Sequence, residues 1–174
     1  MFAHKLCSSR SYSPALPERK PYRRSARRSG GRADYAVPTR VLVDSNVLID
    51  LLENDSNWAD WSETQLTPLA EAGLAVINPI IYAEVAANFA TIEALNAAVQ
   101  PFNLQREPLP WDTAFLASQA FKLYRRRGGQ RSSPLPDIYI GAHASLAGYS
   151  LLTRDAQRYR EYFPKLKFLK SSDT

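Results

Sequence analysis

The chain is poor in the residues that form disulfides or bind soft metals. It contains one cysteine, Cys7, and two histidines among its 174 residues. A single cysteine cannot form a disulfide within the chain, which is typical of proteins from a reducing cytoplasm, and a cytoplasmic location is what we expect. No apolar run approaches the roughly 20 residues of a membrane-spanning helix, so we expect no membrane contact. The N-terminus also lacks the apolar segment of a secretory signal.

Most of the chain also lacks an excess of basic charge. Residues 1–40 contain ten Lys or Arg and two acidic residues, a net charge of +8. The rest of the chain contains twelve basic and fifteen acidic residues, a net charge of −3. The sequence pI of 9.4 therefore reflects the N-terminal segment. This distribution excludes a folded nucleic-acid-binding domain of the usual basic kind.

Residues 1–38 form an Arg-, Ser- and Pro-rich extension with almost no aliphatic periodicity. Such a composition buries too little apolar surface to offset the entropy of ordering, so we predict disorder. Four interpretations remain open: an RNA-binding arm, a segment similar to a transit peptide, translated upstream sequence, and a solvated tail without a role. We favour upstream sequence, with a natural start near Val37, because the recognisable fold begins abruptly at Arg40.

Residues 39–170 alternate short apolar runs with helical patterns, and we predict that they form a single domain. Alternating strands and helices indicate an α/β fold, a three-layer α/β/α sandwich around a central, mostly parallel sheet. The pattern predicts strands at 41–43, 74–77, 150–153 and 166–169. It predicts helices at 47–52, 58–71, 79–99, 112–127, 137–146 and 156–162.

Four acidic residues follow predicted strands or begin predicted helices: Asp44, Glu84, Asp137 and Asp155. A parallel sheet brings its strand ends and helix starts to one edge, where such folds bind ligands. Four acids at one edge repel each other unless a hard cation neutralises them. Each acid taken singly also fits a cap, a turn or a solvent-facing position, so their joint placement carries the prediction of a metal site.

The residues near these acids favour Mg²⁺, with Mn²⁺ as the alternative. Oxygen ligands suit such ions, and the absence of nearby His or Cys argues against zinc. We predict supporting roles for Asn46, which would brace the turn after Asp44, and for Thr153. The hydroxyl of Thr153 would hold a metal-bound water or a neighbouring carboxylate.

Two segments resemble the PIN-domain family. The stretch VDSNVLID, which contains Asp44 and Asn46, is similar to the opening motif of PIN domains. The stretch PDIYIGAHASLAGYSLLTRD, from Pro136 to Asp155, and the tail RYREYFP resemble the closing half of VapC-type toxins. The resemblance covers roughly residues 40–169. The Arg-rich extension departs from the family pattern, and the middle of the chain shows little motif similarity.

The resemblance implies a Mg²⁺- or Mn²⁺-dependent endoribonuclease, the toxin of a type II toxin–antitoxin pair. It assigns metal-binding and catalytic roles to Asp44, Asp137, Glu84 and Asp155, of which Glu84 is placed mainly by its helix and spacing. It also implies a homodimer and a cognate antitoxin whose tail blocks the acidic pocket. Two other functions stay open: a PIN-type nuclease of RNA processing, and a non-catalytic PIN-like binding module.

Four further residues have weaker assignments. Arg154 and Arg127 are candidate RNA contacts, although for the basic run at 125–127 we slightly favour a solvated helix end. We expect Asp50 to be an acid on a helix surface. We expect His143 to lie at the surface or in an interface rather than to act as a catalytic base.

Overall fold

A computed structural model of the protein describes residues 39–169. The predicted disorder of residues 1–38 lies outside this range. The strands are β1 (Val41–Val43), β2 (Ala75–Ile77), β3 (Gln105–Arg106), β4 (Ser150–Leu152) and β5 (Lys167–Phe168). The helices are α1 (Ser45–Leu52), α2 (Ala59–Glu71), α3 (Pro79–Ala86), α4 (Ile92–Val99), α5 (Trp111–Arg126), α6 (Pro136–Ala147) and α7 (Ala156–Arg160). None of the helices within residues 39–169 is long and apolar enough to cross a membrane.

The five strands form one sheet in the order β3-β2-β1-β4-β5, and all four pairings are parallel. In the centre of the sheet, Leu42 lies opposite Val76 on one side and Leu151 on the other. All three side chains are fully buried, as expected of parallel strands covered on both faces. Because the strand order reverses direction after β3, right-handed crossovers place helices on both faces. The predicted three-layer sandwich is confirmed.

The predicted helix over residues 79–99 is wrong in one respect, because the structure divides it into α3 and α4. Residues 87–91 separate the two helices. The last of them, Thr91, has an extended backbone, and its Oγ1 accepts a hydrogen bond from the backbone nitrogen of Ala94 at 3.2 Å. This side chain caps the start of α4. Glu84 therefore lies on a helix of only eight residues.

Asn78 and Pro79 begin α3 as predicted. The Oδ1 of Asn78 accepts hydrogen bonds from the backbone nitrogens of Ile80 and Ile81, at 2.9 and 3.0 Å. Pro79 occupies the first turn, where its missing N–H costs nothing. This cap fixes the direction in which α3 leaves the carboxyl end of β2, and with it the position of Glu84.

Candidate functional site

Asp44 lies at the carboxyl end of β1, and only 3% of its surface is exposed. It also caps α1, since its Oδ1 accepts a hydrogen bond from the Ser45 backbone nitrogen at 2.8 Å. Its Oδ2 accepts three more, from Asn46 Nδ2 at 2.9 Å, Thr153 Oγ1 at 2.7 Å and Tyr159 Oη at 2.9 Å. Four neutral donors from three chain segments therefore fix this carboxylate.

The pKa of Asp44 is raised above its ordinary value, chiefly because burial disfavours the charged form. Donation by Thr153 and Tyr159 lowers this pKa in part, and the negative charge of Asp137 raises it further. Burial and the nearby carboxylates also raise the pKa of Tyr159 well above its usual range. Tyr159 therefore stays protonated and remains a donor to Asp44.

Glu84 reaches the same edge from α3. Ser45 Oγ lies 2.9 Å from Glu84 Oε2, to which it donates a hydrogen bond, and 3.5 Å from Asp44 Oδ1. Burial raises the pKa of Glu84, the Ser45 hydroxyl lowers it, and the charges of Asp44 and Asp137 raise it again. The Ser45 hydroxyl thus lies between two mutually repelling carboxylates.

Asp137 and Asp155 form the outer part of the cluster. Asp137 lies in the first turn of α6, and Asp155 directly precedes α7. Both contact Arg158, whose Nη1 is 3.3 Å from Asp137 Oδ2 and whose Nε is 2.9 Å from Asp155 Oδ2. Burial raises the pKa of Asp137, Arg158 lowers it, and Asp155 raises it. The structure therefore brings the four predicted acids into one electrostatically coupled group.

Asn46 and Thr153 connect the ends of β1 and β4. Asn46 Nδ2 donates to Thr153 Oγ1 at 3.1 Å as well as to Asp44. Thr153 Oγ1 in turn accepts a hydrogen bond from the backbone nitrogen of Asp155 at 3.1 Å. These bonds fix the loop that carries Asp155 relative to Asp44. The two side chains thus lie where supporting residues are needed, and their functional role remains a prediction.

The chemistry of the donor set fits a hard divalent cation, because the four acids offer only oxygen ligands. Within residues 39–169, however, no three acidic or histidine side chains are arranged to hold an ion. The oxygens of Asp44 point at neutral donors, while Asp137 and Asp155 point at Arg158. A metal ion would therefore replace Arg158 as the partner of the outer acids.

The expected surface position of Asp50 is wrong. Asp50 is 2% exposed and accepts hydrogen bonds from Arg154 Nη1 at 2.5 Å and from Ser62 Oγ at 3.1 Å. The guanidinium of Arg154 also lies over the ring of Trp58, 5.7 Å from its centre. Because a buried carboxylate needs a partner, Asp50 and Arg154 form a structural ion pair. The structure thus assigns Arg154 a partner within the protein, and its contact with RNA stays a prediction.

His143 is also buried, at 1% exposure, rather than on the surface. Asn78 Nδ2 donates a hydrogen bond to His143 Nδ1 at 3.1 Å, while the other side-chain atom of Asn78 caps α3. Burial lowers the pKa of His143, so the neutral ring is favoured. The second candidate RNA contact, Arg127, pairs with Glu161 at 2.9 Å.

Three residues of the site were not predicted from the sequence: Ser45, Arg158 and Tyr159. A helical reading of the segment after Asp155 contains a signal for two of them. Residues three and four positions along a helix share one face, and these positions are Arg158 and Tyr159. Their spacing from Asp155 therefore indicates that all three side chains face the same cluster.

Comparison with known proteins identifies a family and a fold. The sequence model of the PIN domain matches residues 41–164. Among solved structures, VapBC2 from Rickettsia felis bound to a DNA fragment from their promoter is 16% identical, covers 74% of this chain and 96% of its own, and has a TM-score of 0.57. DNA-bound VapBC from Salmonella typhimurium is 19% identical, with 75% and 97% coverage and a TM-score of 0.56.

FitAcB from Neisseria gonorrhoeae is 20% identical, with 74% and 96% coverage and a TM-score of 0.52. At such identities these structures show a shared fold alone. No significant match is found among curated protein sequences.

Proposed function

This chain belongs to the PIN-domain family, a family of nucleases, and from that premise we propose that it is a divalent-metal-dependent endoribonuclease that hydrolyses RNA phosphodiester bonds. The observation that carries the proposal is the coupled acid cluster at the carboxyl edge of the sheet. Three of its members, Asp44, Glu84 and Asp137, have pKa values raised first by burial and then by the charge of at least one other acid of the cluster. A bound cation relieves both costs.

We assign the metal ligands to Asp44, Glu84, Asp137 and Asp155, with Mg²⁺ as the ion and Mn²⁺ as the alternative. Such an ion, when bound, lowers the pKa of a water and neutralises charge on a phosphoryl oxygen. The hydroxyl of Tyr159 orients Asp44 and favours its ionised form, because its donation lowers the pKa that burial raises. It donates to the carboxylate at 2.9 Å from a position that is almost completely buried.

We further propose that the protein is the toxin of a type II toxin–antitoxin pair. The fold it shares with VapBC2 and FitAcB supports this proposal, as does the net charge of −3 after residue 40, which favours a basic partner. Asp137 and Asp155 already accept a guanidinium from Arg158. An antitoxin arginine would meet the same acceptors.

A homodimer is part of the same proposal. On α5, Trp111 is 91% exposed, and Phe115, one helical turn later, is also exposed. Neighbouring exposed aromatic side chains mark surfaces that bind other proteins. The α5 surface formed by these two rings is a candidate for the contact between protomers, and sedimentation of a Trp111→Ser, Phe115→Ser variant as a monomer would support it.

Cleavage of total cellular RNA by the purified protein tests the nuclease. We expect cleavage with Mg²⁺, none with EDTA, and none with Asp44→Ala or Asp137→Ala. Because a metal site contributes several kcal/mol to such a reaction, each loss should exceed about a thousandfold. Glu63→Ala, an exposed acid on α2, is the matched control and should remain active.

Two outcomes would change the assignment. Folded, antitoxin-free protein that cleaves nothing with either Mg²⁺ or Mn²⁺ would favour a non-catalytic PIN-like binding module. Metal-dependent cleavage by a protein whose gene lies beside no small antitoxin gene would favour a PIN-type nuclease of RNA processing.

A further inference from the structure

A cavity of about 310 Å³ opens beside the acid cluster. It shares Asp137, Arg158 and Tyr159 with the cluster, and its other walls include Tyr124, Tyr162, Arg131 and Glu161. We propose that this cavity, the aromatic pocket, binds one nucleotide of single-stranded RNA next to the phosphodiester that is cleaved. The proposal rests on the ribonuclease function and adds where the substrate is recognised.

Two tyrosine rings give the aromatic pocket the character of a base-binding site. The centres of the Tyr124 and Tyr162 rings are 6.4 Å apart, and the rings are inclined by 60°. Phe121 stacks on Tyr124 with centres 5.6 Å apart and an angle of 17°. The ring of Tyr124 is therefore held firmly, and Tyr124 and Tyr162 are both only partly buried. Proteins that bind single strands stack bases on such rings.

The loop after α5 is shaped around Tyr124. A Cβ atom at Gly129 would lie 2.2 Å from Cε1 of Tyr124, so only glycine allows this approach without displacing the ring. The backbone nitrogen of Arg131 donates to Tyr124 Oη at 3.4 Å. Gly129→Ala should consequently disturb the aromatic pocket without altering any residue that lines it.

The charges around the pocket suit a phosphate chain. Arg131 and Arg158 both line it, and Arg158 connects it to Asp137. Its other acid, Glu161, is already paired with Arg127 at 2.9 Å. A base among the tyrosines would thus have cationic side chains beside its phosphates, the groups that position nucleic acid on proteins.

Binding of RNA in EDTA tests the aromatic pocket without cleavage. Fluorescence anisotropy would measure the affinity of labelled single-stranded RNA octamers for the wild type, Tyr162→Leu and Gly129→Ala. We expect each variant to bind about tenfold more weakly, since loss of one stacked base has an effect of that size. Arg131→Gln should reduce the slope of log affinity against log salt by about one.

Tyr82→Leu is the matched control, because Tyr82 is a partly buried tyrosine like Tyr162 but lines a different cavity. It should bind RNA like the wild type. Circular dichroism would confirm that each variant is folded.

The outcomes separate the pocket from the nuclease. A wild type that binds and cleaves RNA, with unchanged affinity in Tyr162→Leu and Gly129→Ala, would overturn the pocket and leave the ribonuclease intact. Unchanged RNA affinity together with weaker antitoxin binding would also overturn it and assign the surface to the protein partner. A wild type that neither binds nor cleaves RNA would remove both proposals.

Discussion

The inner and outer halves of the acid cluster are held in opposite ways. The inner acids, Asp44 and Glu84, accept hydrogen bonds from neutral hydroxyl and amide groups. The outer acids, Asp137 and Asp155, share one guanidinium, and the side chain of Arg158 that supplies it is 66% exposed. A neutral donor orients a carboxylate without compensating its negative charge, whereas the guanidinium of an arginine compensates that charge. The inner acids can therefore bind a metal ion without losing a cationic partner, whereas at the outer acids the ion must first displace Arg158.

Among changes to the partners of the acids, removing a neutral donor from the inner half should have the largest effect on activity. Tyr159→Phe deletes the hydroxyl that donates to Asp44 at 2.9 Å and keeps the buried ring. A hydrogen bond to a charged group contributes about 1.5–3 kcal/mol, so we expect kcat/KM to fall at least about tenfold. Because this donation lowers the pKa of Asp44, its loss should move the acidic limb of the pH–rate profile to higher pH.

Tyr82→Phe is the control for Tyr159→Phe, since it removes a tyrosine hydroxyl that donates to Asn96 rather than to the inner acids. Its pH–rate profile should match that of the wild type. An unshifted acidic limb in Tyr159→Phe, at wild-type stability, would show that Tyr159 only packs against the core.

The sheet and the location of the four acids were predictable, because the carboxyl ends of parallel strands lie at the same edge of a sheet. The positions of Asp44, Glu84, Asp137 and Asp155 relative to strands and helices are readable from local patterns. The partners Ser45, Arg158 and Tyr159 were not predicted. The spacing from Asp155 places Arg158 and Tyr159 on the face toward the cluster, but it does not identify Asp44, 115 positions away, as the acceptor of the Tyr159 hydrogen bond. No local pattern encodes such a contact.

Distant contacts also explain why Asp50 and His143 were wrongly expected at the surface. Each lies in a helix, where an isolated polar residue is usually solvated. Each is buried with a distant partner that donates a hydrogen bond to it, Arg154 to Asp50 and Asn78 to His143. The wrong prediction of one helix over residues 79–99 has a different cause. Thr91 is a local capping signal, but the apolar periodicity continues across it and favoured a single helix.

The second prediction concerns Arg158, the cation that pairs with the outer acids. Arg158→Gln should bind Mn²⁺ more tightly, by about threefold to tenfold, because the ion no longer displaces a salt-bridged arginine. The gain is modest since Arg158 is largely exposed and its ion pairs are screened. Calorimetric titration of Mn²⁺ into the free protein measures it without reference to catalysis.

Arg160→Gln provides the comparison for Arg158→Gln. Arg160 lies on the same helix, and its guanidinium lies over the ring of Phe168, 5.1 Å from the ring centre. Its removal changes the net charge equally and should leave Mn²⁺ affinity nearly unchanged. Equal tightening in both variants would reduce the effect to net charge, and weaker binding in Arg158→Gln would mean that Arg158 supports the metal site.

The smallest effect concerns stability without metal. A carboxyl whose pKa is raised on folding binds more protons in the native state, so the native state loses stability as pH rises through that pKa. Asp137 is such a group, since burial outweighs its attraction to Arg158. Asp137→Asn should therefore raise the free energy of unfolding at pH 7.5 in EDTA, by no more than about 1 kcal/mol because the carboxylate is partly screened.

At a pH below the ordinary carboxyl range the gain from Asp137→Asn should vanish, because the carboxyl is then protonated in both states. His143 has the opposite sign, since its lowered pKa removes stability as pH falls below about 6.5. It is present in both proteins and cancels in their difference. Urea unfolding at the two pH values measures that difference. A destabilised Asp137→Asn at pH 7.5 would mean that Arg158 over-compensates the outer acids, which would then resemble a structural salt bridge rather than a site awaiting a cation.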